Sequence, residues 1–389
     1  GNGLSRAPEG FTKKLIHYIN GLNVLTLAID FPSGMYGGKS VSDSEAVLKA
    51  SHVLTFQTPK LAFFLPENKA FLNTWEVIDI GLDEEFIETL KPNIHYTLKS
   101  DIRNIYKIRN KWSHKGTYGH SLLVGGSFGK IGAITLAANA ALKAGSGLVS
   151  AYIPKCGYQI LQTSLPEIMV EVDDEKQLDY FNITTKASVI GIGPGMGMHE
   201  KTIAGFSTFL QKNKTPLVID ADAINIIGKN QKFLEFIPEN SIFTPHPKEL
   251  ERLIGKWDND YQKIEMVKTF SKKHNCILVL KGTYTMIIKN EEVYINSTGN
   301  AGLATAGSGD TLTGIITGLI AQKYTPLTAA ILGVFLHGKT AEIGSEYLGL
   351  EAFTASAIIS YLPDAFLAIH QNDGIHQNDN IETKKNPST

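Results

Sequence analysis

Short apolar runs alternate with helix-like segments along the chain from about residue 120 onward. The runs are apolar throughout rather than at every second position, which is typical of parallel strands covered on both faces. The predicted strands are 121–125, 148–153, 188–192, 216–220, 241–244 and 276–280. The predicted helices are 133–144, 202–212 and 261–274, and the pattern from 307 to 367 is mostly helical. This alternation predicts an α/β fold, a doubly wound sheet with helices on both faces.

The first hundred residues follow a shorter pattern and predict a separate unit. Its predicted strands are 23–30, 53–56 and 75–80. Because this part is too short for a complete α/β domain, we expect a partial Rossmann-like α/β domain over residues 1–98. The chain begins at Gly1 within this pattern, so we expect the start of the domain to precede it.

The remaining boundaries follow from composition. The polar and basic stretch 99–113 predicts a linker. The main domain is then expected over residues 114–369. A motif, IHQND, occurs twice near the end, and we expect a polar tail over 370–389 that is too hydrophilic to fold.

The charge balance and the cysteine content argue against several classes of protein. The 37 basic residues nearly equal the 38 acidic ones, so nothing favours a nucleic acid as the main partner. Cys156 and Cys276 show no zinc-like spacing and no disulfide framework, which favours a reducing cytoplasm. The first ten residues do not form a signal peptide, and polar residues interrupt the most apolar stretch, so we expect no membrane span.

The segment 299–314, GNAGLATAGSGDTLTG, is the strongest candidate for chemistry. It holds five glycines in sixteen residues and continues directly into an apolar helix. Glycine lets backbone amides approach a ligand closely, and a helix start adds free amides and a positive dipole end. We therefore expect Gly307, Ser308 and Gly309 to form an anion hole for a transferring phosphoryl group. Asp310 lies in the first helical turn, where it could accept a proton or, alternatively, cap the helix.

Five further loops follow predicted strands and could line the same pocket. They are GGSFGKIGA (125–133), GIGPGMG (191–197), VIDADAIN (218–225), TPHPKE (244–249) and LKGTYT (280–285). Since ligands of open α/β sheets bind at the carboxyl ends of the strands, we expect most of these loops to converge. Each loop also has a purely structural explanation as a tight turn or a helix cap.

Three side chains in these loops carry specific hypotheses. His246 lies between two prolines, which fix the backbone and therefore the direction of its imidazole. Asp220 could help to hold Mg²⁺, whereas for Asp222 we favour capping of the next helix. The glycines of GGSFGKIGA do not have the spacing of a dinucleotide-binding fingerprint, so a nicotinamide-dependent dehydrogenase is poorly supported.

Together these motifs resemble the NAD(P)H-hydrate dehydratases, a family of the ribokinase-like superfamily. From about His114 to Leu367 the chain carries, in the family's order, HKGTYGH, GGSFGKIGA, GIGPGMG, DADAIN, TPHPKE, LKGTYT, NAGLATAGSGDTLTG and FLHGKTAE. One departure is Ala301, at a position where the family often has proline.

The resemblance implies dehydration of the S form of hydrated NADH and NADPH with ADP or ATP as co-substrate and Mg²⁺ bridging the phosphates. Asp310 would be the catalytic base for phosphorylation of the ring hydroxyl, after which phosphate is eliminated. The residues implied to bind the hydrate are Ala133, Gly195, His246 and Asp310. Those implied to bind the nucleotide are Lys281, Gly282, Thr283, Tyr284, Thr285 and Gly309. We also expect a homo-oligomer.

The first hundred residues resemble the second half of the NAD(P)H-hydrate epimerase domain, which often precedes the dehydratase. The resemblance lies in GNGLSRAPEG, AIDFPSG and TFQTPKLAFFLPENK. It implies contacts with the epimerase substrate from Gly1, Asn2, Gly3, Leu4, Ser5, Arg6, Ala7 and Asp30, and K⁺ binding by Ser33. The family's other substrate loop and a potassium-binding aspartate would precede Gly1, so we expect that this chain as given does not epimerise the hydrate.

Two other functions stay open on the sequence. One is a different ribokinase-like kinase of small molecules, for example of a vitamin precursor, because a fold does not fix its substrate. The other is a non-catalytic nucleotide-binding protein, against which the intact Asp310 argues.

Overall fold

A computed structural model describes residues 6–22, 24–41 and 46–371, apart from the side chains of Glu84 and Glu88. Within these ranges the chain forms two sheets. The strands are β1 (Leu27–Ile29), β2 (Ala50–Phe56), β3 (Leu72–Ile78), β4 (Ile94–Thr97), β5 (His120–Val124), β6 (Leu148–Ile153), β7 (Met169–Val172), β8 (Val189–Ile192), β9 (Leu217–Ile219), β10 (Ile242–Phe243), β11 (Ile277–Leu280), β12 (Met286–Lys289) and β13 (Glu292–Asn296). The helices are α1 (Gly10–Gly21), α2 (Glu84–Thr89), α3 (Lys99–Ile105), α4 (Ile131–Lys143), α5 (Tyr158–Ser164), α6 (Glu200–Lys212), α7 (Ala221–Lys229), α8 (Pro247–Ile254), α9 (Asp260–His274), α10 (Ser308–Ala321), α11 (Pro326–Leu348) and α12 (Ala355–Ala368).

The larger sheet has ten strands in the order β4-β13-β12-β11-β10-β9-β8-β5-β6-β7. Neighbouring strands from β11 to β7 run parallel, as do β13 and β4, whereas β12 runs antiparallel to both of its neighbours. All six strands predicted after residue 120 form, each within one residue of its predicted bounds. The predicted doubly wound α/β fold is therefore confirmed.

The central strands are apolar throughout because alternate residues enter two different cores. Val189 and Val218 pack with apolar residues of α10, α11 and α12 on one face. Their neighbours Ile190 and Ile219 pack with residues of α6, α7, α8 and α9 on the other face. All four are at most 5% exposed. Since a fully buried aliphatic side chain contributes about 1.5–3 kcal/mol, both faces stabilise the sheet.

The predicted linker at 99–113 is wrong in its first half. Residues 99–105 form helix α3, whose Ile102 is fully buried in the core shared with α10–α12. The strand before it, β4, belongs to the larger sheet and pairs with β13. The basic residues that suggested a linker lie on the surface of the main domain, where Arg103 Nε donates to the carbonyl of Ile369 at 2.6 Å. One buried isoleucine among polar neighbours is too weak a pattern to predict this helix.

The smaller sheet is a parallel arrangement of β1, β2 and β3, in agreement with a partial Rossmann-like unit. It has its own core, which includes Ala28, Val53 and Phe63. The predicted strand 23–30 is shortened to Leu27–Ile29, and Asn23 itself lies outside the described residues.

The N-terminal unit packs directly on the main domain. Glu67 and Asp260 exchange two hydrogen bonds, in which each carboxylate accepts from the other residue's amide at 2.7 and 3.0 Å. The ring of Phe64 packs against Tyr96 and Tyr284, with centroids 5.2 and 4.9 Å apart. The two units therefore share a core rather than only a covalent connection.

Three further expectations concern the whole chain. Of the predicted polar tail, residues 372–389 lie outside the described part of the chain. None of the described helices combines the length and the apolar character needed to cross a membrane. Both cysteines are free thiols, and Cys276 is fully buried.

Candidate active site

Loops that follow β9, β10 and β11 meet the start of α10 around a cavity of about 880 Å³. Its wall includes Asp220, His246, Glu249, Lys281, Gly282, Thr283, Thr285, Gly307, Ser308, Gly309, Asp310 and His337. Three of the predicted loops and the glycine-rich segment thus converge at the carboxyl ends of the strands, where ligands of open α/β sheets bind.

The start of α10 depends on a glycine. Gly307 precedes the helix with a φ of +86°, and a Cβ built on it would lie 2.6 Å from the side chain of Leu136. Ser308 donates its N–H to Thr305 at 3.3 Å. Within the described residues no backbone carbonyl accepts from the amides of Gly309 and Asp310, which are orphan donors of the first turn. These two amides, rather than that of Ser308, are free to receive an anion.

Asp310 occupies the third position of α10 and lines the cavity. Its carboxylate accepts no hydrogen bond from any described residue, so the helix-cap alternative is wrong. Burial raises the pKa of Asp310 from 3.8 to about 7; the negative charge of Asp220 adds to the rise, and Lys281 opposes it. A carboxylate with a pKa near the working pH is suited to general base catalysis.

A partly buried ion pair lies next to Asp310. Lys281 Nζ donates to Asp220 Oδ1 at 2.9 Å, and the Thr313 hydroxyl donates to Asp220 Oδ2 at 2.9 Å. Burial by itself would lower the pKa of Lys281, but the carboxylates of Asp220 and Glu249 hold it above its usual value. Lys281 therefore stays an ammonium ion, and it lies close to Gly309, where an added Cβ would be 3.2 Å from Nζ.

His246 is held in one orientation, as the flanking prolines predict. Its Nδ1 accepts from the amides of Lys248 and Glu249 at 3.1 and 3.4 Å, which caps α8. Glu249 in turn accepts from the His246 amide at 2.9 Å. Because Nδ1 is an acceptor, Nε2 carries the proton, 3.3 Å from the buried Glu249 carboxylate. Burial raises the pKa of Glu249, while Lys281 opposes that rise.

The predicted nucleotide loop is the hairpin turn between β11 and β12. Lys281, Gly282, Thr283 and Thr285 face the cavity. Tyr284 is absent from its described wall, and its ring instead packs on Phe64 of the N-terminal unit. A contact between Tyr284 and a ligand in the cavity would have to come from its backbone.

Ala133 and Gly195 lie next to each other but are not part of the described cavity wall. Gly195 has a φ of +61°, and a Cβ built on it would lie 2.6 Å from the Lys130 carbonyl and 3.2 Å from the Ala133 methyl group. The preference for Asp222 as a helix cap is wrong. Asp220 is the residue at that cap position, and the Asp222 carboxylate accepts from the Gly197 amide at 2.9 Å.

Comparisons with known proteins identify the family. The sequence model of the NAD(P)H-hydrate dehydratase family matches residues 121–364, which include the whole described wall of the cavity. The chain belongs to this family. The ADP-dependent (S)-NAD(P)H-hydrate dehydratase of Neisseria meningitidis is 38% identical over 260 residues, which are 64% of this chain and 85% of that protein.

The family's fold is also matched by a solved structure. An ADP/ATP-dependent NAD(P)H-hydrate dehydratase from Bacillus subtilis, co-crystallised with ATP and Mg²⁺, has a TM-score of 0.62 and 28% identity. The alignment covers 71% of this chain and 99% of that one. The predicted family and the ribokinase-like fold are therefore confirmed.

The N-terminal unit also has relatives. A second sequence model, described as the YjeF-related protein N-terminus, matches residues 1–62. The bifunctional NAD(P)H-hydrate repair enzyme of Moorella thermoacetica is 35% identical over 376 residues, which are 93% of this chain and 71% of that protein. The similarity to a bifunctional repair enzyme thus extends over nearly the whole of this chain.

Part of the predicted epimerase site can be located. The Asp30 carboxylate accepts from the Phe56 amide and the Thr55 hydroxyl, each at 3.2 Å, and lies 3.4 Å from Lys60 Nζ. Burial would raise the pKa of Asp30, but the Phe56 amide and Lys60 hold it below its usual value. The K⁺ assignment for Ser33 and the substrate assignments for Arg6 and Ala7 stay predictions. Gly1, Asn2, Gly3, Leu4 and Ser5 lie outside the described residues.

Sequence reasoning missed two buried members of this dehydratase-family cavity, Glu249 and His337, which are 5% and 7% exposed. Glu249 belongs to the motif TPHPKE and His337 to the motif FLHGKTAE. A titratable residue inside an otherwise apolar helical segment was the available signal for His337, because burying such a group costs free energy unless it is hydrogen-bonded.

Proposed function

We propose that this chain dehydrates hydrated NADH and NADPH with ATP or ADP as co-substrate, by phosphorylating the ring hydroxyl and then eliminating phosphate. The observation that carries the proposal is Asp310, a carboxylate with a pKa of about 7 beside the free amides of α10 and the ammonium group of Lys281. A base, an anion-binding site and a fixed cation in one cavity are what phosphoryl transfer to a hydroxyl requires. The dehydratase relatives support the same reaction.

The reaction has two steps. In the first, Asp310 accepts the proton of the hydroxyl on carbon 6 while the hydroxyl oxygen attacks the terminal phosphorus of the nucleotide, and ADP leaves from ATP or AMP from ADP. In the second, the lone pair of the ring nitrogen expels phosphate from carbon 6, and a proton leaves carbon 5 to restore the dihydronicotinamide ring. One hydrate and one ATP thus yield one NADH, one ADP, one phosphate and one proton.

The start of α10 stabilises the group in transfer. The free amides of Gly309 and Asp310 and the positive end of the helix dipole are placed to bind the equatorial oxygens. Lys281 contributes a cation that its ion pair with Asp220 keeps in place. Removal of one such donor from a preorganised anion site typically costs about 10²–10³-fold in kcat.

Mg²⁺ would neutralise phosphate charge during the transfer. Within the described residues no group of three or more His, Cys, Asp or Glu side chains forms a ready metal site. Mg²⁺ usually keeps several waters and binds through phosphates plus one or two carboxylates. We therefore assign Mg²⁺ mainly to the phosphates of the nucleotide. Water molecules could bridge the ion to the carboxylates of Asp220 and Glu249 in the cavity wall.

The cavity is divided between two ligands in this proposal. The turn that holds Lys281, Gly282, Thr283 and Thr285, together with Gly309, would bind the nucleotide. His246 and Asp310 would bind the hydrate, and the resemblance to the family adds Ala133 and Gly195, which lie outside the described wall. In this arrangement the hydroxyl of the hydrate and the terminal phosphate of the nucleotide meet at Asp310.

The proposal is tested by product analysis. The purified chain is incubated with the S form of hydrated NADH and with ATP or ADP, and NADH absorbance and free phosphate are followed together. We expect one phosphate for each NADH restored, and neither product without nucleotide. A stable phosphate ester without NADH would identify the kinase alternative, and binding without turnover would identify a nucleotide-binding protein.

A further inference from the structure

A buried histidine contacts the start of α10 from outside that helix. His337 lies on α11, is 7% exposed and forms part of the cavity wall. Its Nε2 lies 3.0 Å from the carbonyl oxygen of Ser308 and 3.2 Å from the Ser308 hydroxyl. The motif that contains His337 predicts no role for it, and neither step of the proposed reaction uses it.

The geometry fixes the tautomer of His337. A carbonyl oxygen can only accept, so Nε2 must carry the proton and donate it to Ser308. Burial lowers the pKa of His337 to about 4, and the positive charge of Lys281 adds to that effect. The ring is therefore a neutral imidazole near neutral pH, with a fixed donor pointed at one backbone carbonyl.

That carbonyl belongs to the peptide unit that supplies the anion site. The Ser308 carbonyl and the Gly309 amide share one planar trans peptide, so they point in opposite directions. The hydroxyl of Thr311 donates to the same carbonyl at 2.7 Å. Two side-chain donors, His337 and Thr311, thus hold the peptide from its carbonyl side, and the Gly309 N–H on the other side is free to point towards the ligand.

We propose that His337 is a positioning residue that orients the Gly309 amide for the phosphoryl group in transfer. The proposal rests on the proposed function, because it assigns His337 to the anion site of that reaction. A displacement of about 1 Å in a catalytic group can cost about 10²-fold in rate. Since Thr311 keeps one of the two side-chain anchors, we expect a loss of kcat of about ten- to hundredfold when the imidazole donor is removed.

The test compares three variants. His337→Ala removes the donor, whereas His337→Gln places an amide N–H near the position of Nε2. Leu336→Ala truncates the neighbouring, fully buried core residue, which is not in the described cavity wall. We expect His337→Ala to lower kcat about ten- to hundredfold with the nucleotide KM changed less than about threefold, and His337→Gln to recover most of the loss. Leu336→Ala, once shown to be folded, should keep kcat within about threefold.

A binding measurement separates this inference from the proposed function. Orthovanadate, which mimics a transferring phosphoryl group, is titrated into each variant with ADP and Mg²⁺ present. We expect His337→Ala to bind vanadate at least about tenfold more weakly while ADP affinity is unchanged. Unchanged vanadate affinity, no recovery by glutamine, or an equal loss in Leu336→Ala would each overturn the inference. A wild-type chain that binds vanadate but does not restore NADH would refute the proposed function alone.

Discussion

Replacing Asp310 with asparagine should make the protein more stable and nearly inactive at the same time. Burial and the neighbouring Asp220 raise the pKa of Asp310 from 3.8 to about 7. Each pKa unit corresponds to about 1.4 kcal/mol, so the ionised carboxylate costs the folded state up to about 4 kcal/mol. The cost is absent below pH 4, grows as the pH rises from about 4 to about 7, and is complete above that. Asparagine never ionises and so avoids the whole cost.

The same substitution removes the base. Loss of a general base typically lowers the rate about 10²–10⁴-fold, whereas nucleotide binding should survive because Lys281 and the hairpin turn are unchanged. Thermal unfolding midpoints at pH 8 and pH 5 measure stability, and kcat with each nucleotide measures activity. Asp364→Asn is the matched control, because it makes the same chemical change on an exposed part of α12.

The pH profile supplies an independent check. Since only ionised Asp310 accepts a proton, we expect kcat/KM of the wild type to rise with pH through an apparent pKa near 7 rather than near 4. If the Asp310 carboxylate had an ordinary pKa, Asp310→Asn would not be more stable than the wild type at pH 8, and that result would refute the raised pKa. A variant that keeps most of the activity would refute the role of Asp310 as the base.

Three further predictions concern the rest of the cavity. Gly309→Ala puts a methyl group 3.2 Å from the Lys281 ammonium group and should raise the nucleotide KM roughly tenfold. Gly21→Ala, whose added methyl group meets nothing within 4 Å, should leave it unchanged. In steady-state kinetics, Thr283→Val should raise mainly the KM for the nucleotide. His246→Asn, which keeps the helix cap, should raise mainly the KM for the hydrate. Equal effects of either variant on both KM values would refute the division of the pocket. Because the pKa of His337 falls from 6.5 to about 4 on folding, the contribution of His337 to stability should fall as the pH drops through that range, by up to about 3 kcal/mol, opposite in sign to that of Asp310. Urea unfolding of the wild type and of His337→Gln should show a smaller loss of this contribution in the variant. The same pH dependence of stability in both proteins would contradict the prediction.

The central sheet could be predicted because its signal is local. Each central strand is buried on both faces, so its apolar run is continuous and its bounds are sharp. The strands that were missed lie towards the edges of the large sheet, where pairing depends on distant partners. β4, for example, pairs with β13, almost 200 residues away along the chain. No pattern within residues 94–97 indicates that partner.

The same limit applies to the candidate site. The glycine loops could be placed at strand ends because parallel strands end at one edge of a sheet. The separate roles of Asp220 and Asp222 could not be assigned, because they depend on partners elsewhere. Asp220 binds Lys281 and Thr313, which are 61 and 93 residues away, whereas Asp222 accepts from Gly197, 25 residues before it.

Three carboxylates belong to the described wall of the cavity, and their hydrogen bonds support Asp310 as the proposed base among them. Both oxygens of Asp220 already accept hydrogen bonds, one from an ammonium group and one from a hydroxyl. Glu249 accepts from the His246 amide, and its second oxygen lies 3.3 Å from the His246 imidazole. Asp310 accepts none from any described residue, so its lone pairs can receive the proton of a substrate hydroxyl. Because the carboxylate is buried and no hydrogen bond from a described residue stabilises its ionised form, its pKa is raised and its ionisation destabilises the folded state. The cost in stability and the basicity of Asp310 therefore have the same physical cause.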